Sequence, residues 1–390
     1  MVMKGNVLVL GNSGVGKSTL INAVIGEEKA HTSFGITGTT NRLEIYGDKN
    51  PEIPFSLIDS VGFEPNPKKA KKAINLVKKW SKESTKAGNE SSQINVVWFC
   101  IDGCGTKLFP ETIENLARSI SMWKNIPVIV VITKSYSKID RQTNIEMVYN
   151  AFAMMTRYSC NLKAVMPVVA KIYSLDDTQY AEPEGISELI DKTLELMPEG
   201  IRIADNIISD FRIKRIRALT QSVVGAATAA AVTVGAVPIP FPDAALLVPI
   251  ETTELLALAK IYSFDKEKGK DIFIKAAIDI GGVSAIGKTI ITTLKAIPGI
   301  HLAAAILNAA VAGTIVAAIG ETSIFIYDQI YTGKKSFNDM EWITNILKER
   351  LSPETLTPML NSFINKLNNS DSNSKITTSI KETFNKKQDQ

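Results

Sequence analysis

The chain has 390 residues, 45% hydrophobic and 22% charged, enough for two or three domains with cores of their own and too apolar for a largely disordered protein. A net charge of +4 is too small an electrostatic footprint to indicate nucleic acid as a partner. The three cysteines, Cys100, Cys104 and Cys160, are odd in number and lack four-ligand metal spacing. That fits buried thiols in a reducing compartment, and no zinc site is expected.

In chain order, Met1 to Gly5 lead straight into an apolar run without the regions of a secretory signal, so the amino-terminal half is expected in the cytosol. Asn6 to Leu10 reads as a buried parallel strand. It runs into Gly11-Asn12-Ser13-Gly14-Val15-Gly16-Lys17-Ser18, which fits G-x-x-x-x-G-K-[ST] at every fixed position. The glycines let the backbone approach a ligand with successive N–H groups aimed at phosphate oxygens. Lys17 then reaches the β- and γ-phosphates, and the Ser18 hydroxyl becomes a ligand of the bridging Mg²⁺. Leu20, Ile21, Val24 and Ile25 recur at helical spacing until Gly26, so strand, loop and helix follow in the required order, and the helix N-terminus adds partial positive charge. A glycine-rich turn without a ligand is the alternative. The whole segment Gly11 to Thr19 is the expected phosphate site.

His31 to Thr40 reads as a flexible connection ending in Gly38-Thr39-Thr40. Thr40, with Thr39 next, is the candidate that closes on Mg²⁺ when the γ-phosphate is present. The alternative is that these threonines only open the strand Arg42 to Tyr46. After a turn at Gly47 to Pro51, Pro54 to Ile58 reads as a strand pairing antiparallel with it and ending on Asp59-Ser60-Val61-Gly62. There Asp59 holds Mg²⁺ through water and the Gly62 N–H bonds the γ-phosphate. Lys68, Lys69, Lys71, Lys72, Lys78, Lys79 and Lys82 follow; they read as a solvated helix, or as a face toward an acidic partner or membrane surface.

Apolar runs at Ile94 to Ile101, Val128 to Ile132 and Ala164 to Val169 complete a sheet. With helical segments near Pro110 to Trp123, Asn144 to Tyr158 and Ile186 to Leu196 they give an open α/β fold with one antiparallel edge. Thr133-Lys134-Ser135 and Ala170-Lys171 lie at strand C-termini, where such sheets bind ligands.

Residues 5 to about 197 resemble the Era-like, septin-like branch of the translation-factor-related GTPases. The resemblance rests on residues 11 to 22, on Gly38-Thr39-Thr40, on Asp59-Ser60-Val61-Gly62 and on Val130 to Lys134. It implies a P-loop NTPase fold, the G domain, with a mostly parallel sheet, GTP or GDP as ligand and Mg²⁺ as cofactor. Lys17, Thr40 and Gly62 would be the catalytic groups, and Ser18, Thr40 and Asp59 the metal ligands. The phosphate site would comprise Gly11, Asn12, Ser13, Gly14, Val15, Gly16, Lys17, Ser18 and Thr19. Thr133-Lys134 would open the N/T-K-x-D motif with Lys134 over the base, and Ala170-Lys171 would end the S-A-K motif, whose alanine N–H bonds guanine O6. The chain departs from the family at position 136, where Tyr136 stands in place of the guanine-reading Asp. Asp140 is a nearby substitute, and ATP remains the alternative ligand. After Gly62 the small GTPases carry a water-orienting Gln, whereas this chain has Phe63. Water must then be placed by another residue, by the backbone, or by a second copy across a homodimer of the G domain.

From about Arg202 the composition shifts. The basic connector Ile201 to Arg217 is followed by an uncharged run from Ala218 to Pro242 and, later, another from Ala296 to Gly320. Gly235 to Asp243 resembles the G-A-x-P-I-P-x-x-D signature of a helical domain of unknown function that follows Era-like GTPases in many bacteria and is suspected of sitting at membranes. Small residues at this density let helices approach closely, inside a soluble bundle or between membrane helices. Pro238, Pro240 and Pro242 break the first run, whereas Leu302 to Ile319 is proline-free and about long enough to span a bilayer. The tail from Ser336 opens amphipathic through Leu351, and its Asn, Ser and Lys content reads as disordered after about Leu367. Three regions are expected: a G domain at 1–200, an Ala/Gly-rich all-α domain at 201–335 and a tail at 336–390. The function expected is a GTP-binding switch with slow Mg²⁺-dependent hydrolysis, whose nucleotide state controls the C-terminal helical domain at a membrane or partner surface; the G domain is expected in the cytosol, associated with the inner face of a membrane in the membrane reading. A nucleotide-gated interaction module without hydrolysis is the alternative.

Overall fold

The computed structural model describes residues 4–26, 44–48, 50, 52–59, 93–104, 126–154, 161–174, 180–198, 205–237, 244–297, 302–365, 367–368 and 371–388. The candidates Thr40 and Gly62, the lysine run 68–82, the expected helix at 110–123 and the prolines at 238–242 lie outside them. The chain divides into two compact units, one of residues 1–171 and 183–216, the other of 172–182 and 217–390.

The first unit is a six-stranded sheet in the order β2-β3-β1-β4-β5-β6. Its strands are β1 (Gly5–Gly11), β2 (Glu44–Tyr46), β3 (Phe55–Asp59), β4 (Ile94–Asp102), β5 (Val128–Thr133) and β6 (Leu162–Pro167). Every neighbouring pair is parallel except β2 with β3, which is antiparallel and forms the edge. Runs such as Val7 to Leu10 and Val128 to Ile132 are buried on both faces, which is why they read as continuous rather than alternating apolar stretches. β6 begins and ends two residues before the expected 164–169. Pro167 has no N–H to continue the ladder, while Val168 N–H still donates to Ile132 O at 2.8 Å. Among the described residues, three helices belong to this unit throughout their length: α1 (Lys17–Ile25), α2 (Asp140–Ala153) and α3 (Ile186–Glu195). Trp98, fully buried on β4, donates its indole N–H to Thr193 Oγ1 on α3 at 2.8 Å.

The helices that follow are α4 (Asp205–Gly235), α5 (Ala244–Ile261), α6 (Gly269–Gly281), α7 (Val283–Lys295), α8 (Ala304–Tyr331), α9 (Met340–Arg350), α10 (Pro353–Ile364) and α11 (Asn373–Gln388). A two-stranded hairpin, β7 (Tyr173–Ser174) with β8 (Tyr180–Ala181), belongs to the second unit. The unit is built around α8, which packs against α5, α7, α9, α10 and α11 and is buried almost continuously from Ile306 to Tyr327. At Gly320 α8 comes close to its neighbours, since a Cβ there would fall 2.2 Å from Glu254 Oε1 and 2.6 Å from Val224 Cγ2. Aromatic rings of Tyr262, Phe264, Phe273, Tyr327 and Phe337 close one end, with centroids 5.0 to 6.3 Å apart in contacting pairs such as Phe273–Tyr327 and Phe273–Phe337.

Two helices, 208–235 and 304–331, are long and apolar enough to cross a membrane, and in the second 89% of the apolar window is buried inside the protein. The tail corrects an expectation. Beyond Leu367 the chain forms α11, because Ile376 and Ile380, one turn apart, are fully buried and the helix packs on α8 and α10.

Candidate functional site

The site forms where β1 leaves the sheet and turns into α1. Gly11 has φ 149° and a Cβ there would lie 2.5 Å from Cys100 O on β4; Gly16 has φ 97°, so both positions need glycine. Lys17 is not the exposed loop lysine that its position suggests but is 8% exposed. Its ammonium turns back and donates to Gly11 O and Asn12 O, each at 3.0 Å. Burial lowers its pKa, and the nearby Asp59 and Cys100 oppose that shift. The cation is thus held over the loop by two carbonyls, which leaves it poised for phosphate oxygens.

Asp59 ends β3, beside β1. Its Oδ1 is buried and has no hydrogen-bond partner among the described residues. Burial pushes its carboxyl up to about 6, with Lys17 pulling down and Glu44 adding to the rise. A divalent cation near that oxygen supplies the missing positive charge, so the residue fits the Mg²⁺ role. Ser18 and Thr19 follow Lys17 in the first turn of α1, both partly exposed.

Thr133 and Lys134, at the end of β5, are brought onto the phosphate loop. The Thr133 hydroxyl is 2.8 Å from Ile101 O and also reaches Val15 O. Lys134 has φ 52° and donates its ammonium to Gly14 O and to Asp102 Oδ2, each at 2.7 Å. Asp102 ends β4 as Asp59 ends β3, and sequence reading missed it although the same strand-end rule would have marked it. Its Oδ1 also accepts the Cys104 N–H at 2.9 Å. Ala170, partly buried, and the exposed Lys171 follow Val169, whose backbone forms an isolated bridge with Glu184. Tyr136 is partly buried, and Asp140 stands exposed in the first turn of α2, where its charge suits the helix N-terminus. Arg141 and Glu184 escaped the sequence reading altogether. They form an ion pair at 2.7 Å beside the Thr133 to Ser135 loop.

A glycine loop between a parallel strand and a helix, a buried lysine turned over it and a strand-end carboxylate beside it define a P-loop nucleotide-binding domain. Residues 6–134 match the family described as 50S ribosome-binding GTPase. GTPase Der of Geotalea daltonii is 28% identical over 229 residues, which is 58% of this chain and 43% of that protein. GTPase Era of a Geobacter species is 26% identical over 208 residues, 53% of this chain and 60% of that protein. A crystal structure of Era in complex with MgGDPNP and nucleotides 1506–1542 of 16S ribosomal RNA is similar over 59% of this chain and 68% of its own, at 22% identity and a TM-score of 0.34. The chain spans less than half the length of the first Der relatives it matches. The amino-terminal region is thus similar to the P-loop GTPases of that family, and it is followed by a helical region outside the family match.

Proposed function

We propose that the chain is a GTP-binding switch protein, a slow Mg²⁺-dependent GTPase whose nucleotide state acts on the helical region. The observation that carries this reading is the Lys17 ammonium, which donates to Gly11 O and Asn12 O of the loop, together with the buried Asp59 Oδ1 at the end of the neighbouring strand, which has no hydrogen-bond partner among the described residues. Lys17 binds the β- and γ-phosphates and the loop N–H groups of Gly14 to Thr19 wrap them. Ser18, Thr40 and Asp59 would hold Mg²⁺, which neutralises charge developing on the phosphates when bound. The Gly62 N–H would bond the γ-phosphate, and Ala170 with Lys134 would read guanine. Phe63 offers no hydrogen bond to the attacking water, so hydrolysis is slow unless a second copy supplies that group. Nucleic acid is not part of this reading, given the net charge of +4.

Single-turnover phosphate release from GTP, with Mg²⁺ and with excess chelator, tests it. Slow release that needs Mg²⁺ is expected; tight GTP binding with no release over hours would replace the enzyme by a nucleotide-gated interaction module. A second reading places the protein at the inner face of a membrane and is supported by the length and apolarity of α4 and α8. The cover on α8, 89% buried in its apolar window, supports a soluble bundle, whereas the window of the 208–235 helix is only 67% buried.

A further inference from the structure

Arg141, in the first turn of α2, spends its whole guanidinium on loops. Its Nε and Nη2 donate to Ser135 O at 2.9 and 2.7 Å, and its Nη1 lies 2.7 Å from Glu184 Oε2, an ion pair without hydrogen-bond alignment. Glu184 in turn exchanges backbone hydrogen bonds with Val169, the residue before Ala170, at 2.9 and 3.0 Å. Ser135 follows Lys134, and its own N–H reaches Val168 O at 3.2 Å. The contacts therefore run in a closed circuit from the loop that bears Lys134, through Arg141 and Glu184, to the loop that bears Ala170. Both side chains are shielded, at 14% and 17% exposure, so bulk salt screens the pair weakly. Only a planar fork can serve Ser135 O with two N–H groups while the third nitrogen meets a carboxylate, which lysine cannot imitate.

We propose that Arg141 and Glu184 are positioning residues for the nucleobase: they hold the Lys134 loop and the Ala170 loop at the separation that lets both meet guanine. This rests on the nucleotide-binding reading above. The brace matters more here than in a site with the usual carboxylate, because Tyr136 removes one base anchor and leaves backbone placement to do the discriminating. The side-chain contacts of Arg141 go to Ser135 and Glu184 and not to the phosphate loop at Gly11 to Thr19.

The test uses the full chain and three probes, GDP, ADP and inorganic tripolyphosphate, by calorimetry, alongside thermal melting. Arg141→Met is expected to weaken GDP on the order of tenfold, the equivalent of one lost charge-assisted contact, and to bring the GDP-to-ADP ratio toward one. Tripolyphosphate affinity stays within about twofold, since the phosphate loop is untouched. Arg141→Lys fails to restore the ratio, and Glu184→Gln, which keeps shape and one acceptor, lowers it about threefold to fivefold. An unchanged GDP-to-ADP ratio in a folded Arg141→Met protein overturns the proposal. So does a parallel loss of tripolyphosphate binding, which would mean a general structural role. Should Arg141→Met not fold, Glu184→Gln carries the same comparison. If the unsubstituted protein binds tripolyphosphate but does not prefer GDP to ADP, the base reading itself is wrong and the brace falls with it.

Discussion

Replacing Glu254 is the sharpest test of how the helical unit is built. Glu254 lies on α5 with no exposed surface, and neither carboxyl oxygen has a hydrogen-bond partner among the described residues. Burial first, then the charges of Glu251 and Glu321, pushes its pKa well above the usual carboxylate value. Two unpartnered buried oxygens cost about 1–3 kcal/mol each, and an imperfect refit of the new side chain returns part of that. Glu254→Met, which keeps the length and removes both oxygens, should therefore stabilise the unit by about 1–3 kcal/mol, or about 2–12 °C in melting temperature. Glu254→Gln keeps the buried polar atoms and should not stabilise comparably at neutral pH. Glu251, also fully buried, accepts the Val283 N–H at 2.7 Å, and its carboxyl is pushed up to about 7. A raised folded-state value means stability is fully present below about 4.5, the ordinary value, and is lost as pH rises to about 7; that shift is worth about 3 kcal/mol. The assay is urea unfolding of the full chain between pH 5 and 8, followed by hydrogen exchange in 244–331 so that the two units are read separately. A Met variant less stable than the parent at pH 7, or stability of this unit that rises with pH, would refute the reasoning.

Lys17→Ala should reduce GDP affinity by at least tenfold, through the lost charge-assisted bonds to phosphate, while costing about 1–3 kcal/mol of stability because Gly11 O and Asn12 O lose their buried partner. Near-normal affinity in a folded Lys17→Ala protein would remove the assigned site. Thr40→Ala should slow phosphate release more than Phe63→Ala does, since a switch threonine holds Mg²⁺ and a phenyl ring supplies no hydrogen bond to water; single-turnover rates decide it, and the reverse order would make the ring's packing the more important. Carbonate-washed fractions of cells expressing the full chain and residues 1–200 test the membrane reading: a full chain that stays in the pellet while residues 1–200 do not supports it, and a monodisperse full chain in the soluble fraction without detergent supports the bundle.

The phosphate loop, the alternation of strands and helices and the antiparallel edge were legible because each is a local matter: glycine at fixed spacing, apolar period and turn residues act within about ten neighbouring positions. So was the helical region, through its uncharged runs of small residues. What lay beyond sequence depends on partners distant in the chain. Lys17 reads as exposed until the sheet closes around it, and the contact of Lys134 with Asp102 spans 32 positions. The tail from Asn373 reads as disordered by composition, yet Ile376 and Ile380 become a packing stripe once α8 and α10 offer a surface. Glu251 and Glu254 look like any surface carboxylates on a helix, and Arg141 like any surface cation. Desolvation and the pairing of groups that are remote in sequence are properties of the folded surroundings, so burial of those acids and the reach of Arg141 to Glu184 were decided only by tertiary structure.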